Sequence, residues 1–222
     1  MAYKVLLVSL PLTGSALYLA YLHLTLSRKV QCQTTPYLQD ETIIIPSIVR
    51  TSPEHFIIHH ECARKKIAKE SLGGSKPEEL LVPFLRHTMT IFSMRPPAWG
   101  IWYMIKHARD RGTFDAAYIR SLRFSPGDRV CGVYAVTSRE QERITLTLDA
   151  PASYKGPPVE GVLVVEVKEE GDRVAFINHT VMWRERGKGS AVVLEGKIGR
   201  WMHALMVRGL VEGGIRRLCR EF

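Results

Sequence analysis

The stretch Val5–Leu26 constrains this chain more than any other feature. Its 22 residues contain one ionisable side chain, His23, and they lie between Lys4 on one side and Arg28 and Lys29 on the other. A helix of that length, rising about 1.5 Å per residue, spans a hydrocarbon core about 30 Å thick. The pattern therefore predicts an N-terminal transmembrane helix attached to a more polar remainder.

Two other interpretations of this stretch remain open: a cleaved signal peptide and a buried core helix. A signal peptide has an apolar core of about 7–15 residues and a small-residue cleavage site. Here the apolar run is longer, and its end over residues 24–28 lacks a pair of small residues. Pro11 and Gly14 disturb a soluble helix more than a helix in a membrane. We therefore expect an uncleaved anchor over residues 1–28.

The charges that flank the anchor indicate the orientation only slightly. Arg28 and Lys29 outweigh Lys4, which by the positive-inside rule favours a C-terminal domain in the cytosol. We expect a single-pass protein of the endoplasmic reticulum membrane. A polar linker over residues 29–50 leads to one domain over residues 51–222, which is an ordinary domain size.

The composition fits a globular domain and argues against a nucleic-acid partner. Hydrophobic residues make up 45% of the chain, and 31 Lys and Arg against 22 Asp and Glu give a net charge of +9. The basic residues are scattered, and no motif for reading bases accompanies them. The four cysteines, Cys32, Cys62, Cys131 and Cys219, have neither zinc-ribbon nor disulfide-framework spacing, so we expect free thiols.

Hydrophobic periodicity predicts the order of the elements. Thr42–Val49 is β-rich, and His55–Ile67 favours a strand although a helix starting at Ser52 remains an alternative. From Arg129 onwards the period is two. We expect helices over Pro77–Met94, over Ala98–Arg111 and from Gly199 to the C-terminus, with hairpins that join residues 130–136 to 144–148 and residues 161–167 to 173–183.

This order, a four-strand antiparallel meander followed by a long terminal helix, predicts an α+β fold with a sheet wrapped on that helix. Phe124–Tyr134 looks like the opening of the sheet in small fungal helix-grip proteins, and Gly199–His203 looks like the start of their last helix. Over residues 50–220 the chain resembles the START-like polyketide-cyclase (SRPBCC) superfamily. It departs from that superfamily in carrying the predicted anchor.

The resemblance implies chemistry without a cofactor. Several such fungal proteins belong to terpenoid or polyketide pathways, and norbornene-forming Diels–Alder catalysts are the closest analogy. It implies a cofactor-independent cyclase or isomerase, for example a pericyclase, acting on an apolar intermediate of fungal secondary metabolism. Membrane-bound oxidases would lie nearby. The alternatives are a tethered, non-catalytic binder of a lipid-like ligand and an interaction protein with no ligand. An apolar cavity above roughly 300 Å³ would argue against the last.

Candidate site residues come from position, because common catalytic motifs are missing. The sequence has no Gly-x-Gly-x-x-Gly fingerprint, phosphate loop or Gly-x-Ser-x-Gly elbow. His203, one turn into the terminal helix, is the candidate acid–base residue, although a structural histidine bonded to a carbonyl is the alternative. Tyr134 is the second catalytic candidate. The predicted substrate-binding residues are Arg129, Trp183, Trp201, Trp102 and Trp99, although the last two also suit a core stripe.

One histidine-rich segment suggests a metal only in one conformation. If residues 55–62 were helical, His55, His59 and Cys62 would share a face and could bind zinc. In a strand, His60 and Cys62 share one face while His59 and Glu61 share the other. The strand is favoured and no second cluster of His or Cys is present, so we expect neither a metal nor a cofactor.

Overall fold

The computed structural model describes residues 2–188 and 193–221, with side chains from Gly14 onwards except that of Val193. Met1, residues 189–192 and Phe222 therefore lie outside the description. The helices are α1 (Ala2–Lys29), α2 (Ser47–Thr51), α3 (Pro77–Ser93), α4 (Pro96–Met104), α5 (Ala108–Gly112), α6 (Ala116–Ser121) and α7 (Lys197–Leu218). The strands are β1 (Gln31–Thr35), β2 (Phe56–Ala68), β3 (Arg129–Val130), β4 (Tyr134–Arg139), β5 (Arg143–Leu148), β6 (Glu160–Glu170) and β7 (Arg173–Glu185).

All seven strands form one antiparallel sheet in the order β1-β2-β7-β6-β5-β4-β3. The long strands β2 and β7 pair along their whole length, from Phe56 opposite Glu185 to Ala68 opposite Arg173. Alternating side chains on these strands supply two buried faces. The strand interpretation of His55–Ile67 is therefore confirmed, and so are both predicted hairpins.

Helix α7 lies across one face of the sheet and packs against α3. The main core fills the space between them, where the rings of Phe84 and Phe176 are 4.9 Å apart and Leu210 and Ile215 are buried. The predicted α+β class, with an antiparallel sheet crossed by a C-terminal helix, is confirmed. This is the helix-grip arrangement.

The close approach of α7 to α3 depends on Gly214. A Cβ atom at Gly214 would lie 2.6 Å from Thr88 Oγ1 and 3.0 Å from Phe84 Cε2. We expect Gly214→Ala to lower the free energy of unfolding by about 1–3 kcal/mol through overpacking. The matched change Gly209→Ala meets only Leu26 Cδ1, at 3.7 Å, and should raise it by up to about 1 kcal/mol. Urea titrations of the two variants would check this, and equal effects would contradict it.

Two predicted segments differ from the structure. Residues 42–49 form no strand, because Pro46 has no N–H to donate and stands directly before α2. Ile43, Ile45 and Val49 are nevertheless buried on the outer face of the sheet with Ile58. The predicted second helix is also interrupted, because Ile105 turns extended and bridges to Tyr154.

The beginning of the predicted linker is part of the sheet. β1 follows α1 after Val30 and pairs with β2, with Gln31 opposite Arg64 and Thr35 opposite His60. A polar sequence suits an edge strand because one of its sides faces solvent. Polarity alone therefore did not distinguish this strand from a linker.

The prediction of a single-pass membrane protein needs correction. Within the part of the chain that the structure describes, no helix combines the length and apolar composition needed to cross a bilayer. The side chains of residues 1–13 of the predicted anchor lie outside the description. The rest of α1 packs against α7: Trp201 Nε1 donates to His23 Nδ1 over 3.2 Å, and Lys29 Nζ lies 3.4 Å from Glu212 Oε1.

Candidate functional site

A cavity of about 230 Å³, here called the inner cavity, lies between α7, α3, α4 and the sheet. Most of its wall is apolar. Met89 and Phe92 come from α3, Met206 and Leu210 come from α7, and Leu163 comes from β6. Its position under the terminal helix is the one that the sequence predicts. Its volume is below the roughly 300 Å³ at the lower end of drug-sized sites, so the volume alone does not argue against an interaction protein with no ligand.

Polar groups form a minority of the inner cavity wall. Asn178 and Thr180 alternate on β7, and Asn178 Nδ2 lies 3.4 Å from Thr180 Oγ1. Tyr134 packs edge-to-face on Phe92 with ring centroids 5.6 Å apart. Burial raises the pKa of Tyr134, so its hydroxyl remains protonated near neutral pH. A few polar groups in an apolar wall orient a ligand rather than dissolve it.

His203 lines the inner cavity and is held by a buried carboxylate. Its Nδ1 lies 3.1 Å from Glu61 Oε1, and its side chain is 16% exposed while that of Glu61 is completely buried. Glu61 is therefore the acidic partner that orients the imidazole. The predicted alternative, in which a backbone carbonyl satisfies His203, is not what the structure has at this nitrogen.

His59 completes a cluster with these two residues. His59, Glu61 and His203, here called the His–Glu–His cluster, offer ligand atoms that all lie within 4.8 Å of one another. The rings of His59 and His203 meet edge-on at 5.9 Å. Burial, and then the neighbouring His203, lower the pKa of His59 to about 4, which keeps His59 neutral at pH 7.

A second cavity of about 590 Å³, the rim cavity, adjoins the first. Val159, Met182 and Leu194 line both cavities, so these three side chains separate them. His59 and Arg200 line the rim cavity, whereas His203 lines the inner one. The His–Glu–His cluster therefore lies where the two cavities meet.

The opposite face of β2 carries a different histidine pair. The backbone N–H of Gln39 donates to His60 Nδ1 over 3.2 Å, which leaves the His60 proton on Nε2. That nitrogen lies 3.1 Å from His179 Nδ1, and His179 Nε2 lies 4.0 Å from Asp40 Oδ2. Burial, and then His179, lower the pKa of His60 to about 4. This network fastens the segment before α2 to the sheet.

The structure brings only two of the predicted site residues to the inner cavity, His203 and Tyr134. Arg129 instead binds Asp149, with its Nη2 2.5 Å from Asp149 Oδ2. Trp183 lies in the outer core and lines the rim cavity. Trp201 contacts His23 in α1.

The remaining predicted aromatic residues are on the surface. Trp99 is 56% exposed and Trp102 is 37% exposed, with the Arg111 guanidinium carbon 4.2 Å above the Trp102 ring. Three residues at the site were not predicted from the sequence: Glu61, Asn178 and Thr180. Both faces of β2 and β7 carry polar residues at this point, His60 and His179 among them, so only the fold shows which face meets the terminal helix.

No family model matches the sequence, and no match is found among curated proteins. Among solved structures, the chain is similar to CalU16 from Micromonospora echinospora. The two are 13% identical, the match covers 86% of this chain and 92% of that chain, and the TM-score is 0.36. A score that low supports no argument about fold or activity, so the fold assignment rests on the sheet and helix described above.

Proposed function

We propose that this protein binds a small apolar molecule in the inner cavity and acts on it as a cyclase or isomerase without an organic cofactor. The observation that carries the proposal is an apolar cavity under the terminal helix with the His203–Glu61 pair at its wall. Its substrate class is a terpenoid or polyketide intermediate, as the resemblance to helix-grip cyclases implies.

The wall of the inner cavity suits a reaction that depends on folding the substrate. When the bound substrate already holds its reacting carbon atoms together, the loss of their translational and rotational freedom no longer adds to the activation barrier. This effect can lower the barrier by about 7–11 kcal/mol. Phe92, Leu163 and Met206 supply the packing surface. A pericyclic step needs no ionised nucleophile, because its bonds form and break together in one cyclic transition state.

His203 is a polar residue in the inner cavity wall that can take part in the reaction. With Nδ1 facing Glu61, the other ring nitrogen is available to give a proton to, or take one from, a carbonyl or hydroxyl group of the substrate. The Tyr134 hydroxyl can donate a hydrogen bond to the same group. An isomerisation that takes a proton from one carbon and returns it to another leaves the protein unchanged.

The cavity volume limits the size of the substrate. At about 230 Å³ the inner cavity accepts a compact molecule, and a larger one would have to extend past Met182 and Leu194 into the rim cavity. A highly charged substrate is disfavoured, since few polar groups would replace its water. A non-catalytic carrier of the same ligand is the second candidate, because the same wall favours binding.

Competition binding followed by mass analysis tests the proposal. N-phenyl-1-naphthylamine, whose fluorescence rises in apolar surroundings, should bind the purified protein, and neutral terpenoids of ten to fifteen carbons should displace it. Compounds that displace it are then incubated with the protein. We expect at least one product of unchanged mass and altered chromatographic retention, because cyclisation and isomerisation conserve all atoms.

The controls separate the two candidates. Boiled protein should give no product, and His203→Ala should slow the reaction by about 5- to 150-fold, as for one lost hydrogen bond of about 1–3 kcal/mol. Displacement without any product would favour the carrier. Failure of both the probe and the terpenoids to bind would contradict a ligand site in the inner cavity.

A further inference from the structure

Two buried polar atoms in the His–Glu–His cluster have no hydrogen-bond partner among the residues described. They are His59 Nε2 and Glu61 Oε2, which lie 3.9 Å apart. His59 is 8% exposed and Glu61 is completely buried. An unsatisfied buried polar atom costs about 1–3 kcal/mol, and more when the group is charged. Two unsatisfied atoms that lie this close together indicate that a shared partner is missing.

We propose that the missing partner is a divalent transition-metal ion, Zn²⁺ or Fe²⁺, held by His59 Nε2, the Glu61 carboxylate and His203 Nδ1. From the sequence no metal is expected, and the zinc alternative uses His55 and Cys62 with His59. The strand conformation of β2 removes that alternative, because His55 is outside the strand and Cys62 faces away from His59. The same conformation brings Glu61 and His59 to the face covered by α7.

The distances in the cluster suit such an ion. In a tetrahedral site with bonds of about 2.0–2.1 Å, neighbouring ligand atoms lie about 3.3 Å apart. Here His203 Nδ1 and Glu61 Oε1 are 3.1 Å apart, and one ligand atom from each of the three residues lies within 4.8 Å of the other two. His59 Nε2 lies 3.9 Å from Glu61 Oε2, so a small movement of His59 towards the other two ligands would complete the site.

The set of ligands limits which metal is bound and what it can do. Two imidazoles and one carboxylate are typical of metal sites that keep a coordination position open, and they favour Zn²⁺ or Fe²⁺ over Ca²⁺ or Mg²⁺. Glu61 supplies one negative charge, while Arg200 is close enough to lower the pKa of His59 by its positive charge. The open position would lie where the inner and rim cavities meet.

This inference goes beyond the proposed function and is tested without an organic ligand. Protein stripped with chelator and dialysed is titrated with Zn²⁺ against a chromophoric zinc indicator, and bound metal is counted by elemental analysis. We expect one Zn²⁺ per chain, with an affinity in the micromolar range or tighter. If Zn²⁺ does not bind at micromolar concentrations, the metal site is ruled out, whereas binding of N-phenyl-1-naphthylamine would still support the cavity.

Variants of the three ligands identify the site. Glu61→Gln and His203→Gln should each weaken zinc binding by at least about 100-fold, after circular dichroism has shown that they are folded. His55→Gln is the matched control, because His55 is an exposed histidine outside the cluster, and it should leave zinc binding unchanged. Equal affinity in wild type and in both cluster variants would overturn the assignment.

Cobalt spectroscopy on the wild-type protein covers the case in which a variant fails to fold. Co²⁺ in a four-coordinate site of nitrogen and oxygen ligands gives intense visible bands. These bands should disappear when Zn²⁺ is added. A thiolate charge-transfer band in the near ultraviolet would place the metal on Cys32 or Cys62 and overturn the proposed ligand set. A spectrum identical to that of free Co²⁺ in the same buffer would also overturn it.

Discussion

Replacing Thr180 by phenylalanine is expected to weaken binding of N-phenyl-1-naphthylamine by at least about 100-fold, which is a loss of roughly 2.7 kcal/mol. Thr180 lies in the middle of β7 and lines the inner cavity opposite Leu163. The larger side chain would fill the space that the ligand needs, and the densely packed wall cannot move away at low cost. Strand β7 tolerates an aromatic residue, so the fold should persist.

Two further variants show whether cavity shape or a polar group dominates. Thr147→Phe makes the same substitution in β5 and should leave binding unchanged, because Thr147 does not line the inner cavity and its hydroxyl lies 3.2 Å from that of Thr137. His203→Ala should change probe affinity by no more than about tenfold, since one hydrogen bond contributes about 0.5–1.5 kcal/mol. Fluorescence titration measures all three. If His203→Ala abolished binding while Thr180→Phe did not, cavity shape would not be the main determinant.

The titration of His60 alone should lower the free energy of unfolding by about 3 kcal/mol as the pH drops from 6.5 to 4. Burial and His179 lower the pKa of His60 to about 4 in the folded protein, against 6.5 for the ordinary side chain. Between these values the unfolded chain takes up a proton that the folded chain does not. The contribution is therefore complete above pH 6.5 and is lost as the pH falls towards 4.

The His60→Gln variant isolates this effect from other titrations. Around His60 the chargeable groups are His179, whose pKa is also lowered by burial, and Asp40, whose pKa is lowered by its bonds to Thr42. These remain in the variant, so the difference in pH dependence between variant and wild type belongs to His60. Urea titrations at several pH values should give a shallower dependence for His60→Gln and an unchanged one for His55→Gln. Identical profiles for wild type and His60→Gln would contradict the prediction.

Strong periodicity made much of the fold predictable. The helix over Pro77–Ser93 and the two long hairpins have apolar residues at one clear spacing each, and local pattern and tertiary packing agree there. The edge strand Gln31–Thr35 was not predicted because it is polar and short. The end of α4 was not predicted because Ile105 pairs with a distant loop, which is a tertiary contact with no local signal.

The candidate site was less predictable than the fold. His203 was predicted from its place in the terminal helix, but Glu61 was predicted only to share a strand face with His59. Its role depends on which face of β2 meets α7, and on a partner 142 positions away in the chain. Trp99 and Trp102 were predicted to bind substrate, yet they lie on the surface because α4 presents that side outward.

The contact between α1 and α7 contains a tryptophan, Trp201, whose fluorescence can report on the position of α7. Trp201 donates to His23 with ring centroids 5.8 Å apart, and two residues later the same helix contributes His203 to the inner cavity wall. A ligand that displaces α7 relative to α1 changes the distance between the Trp201 indole and the His23 imidazole. An imidazole close to an indole can quench its fluorescence. Binding of a ligand in the inner cavity is therefore expected to change the fluorescence of Trp201, which can be measured without a label.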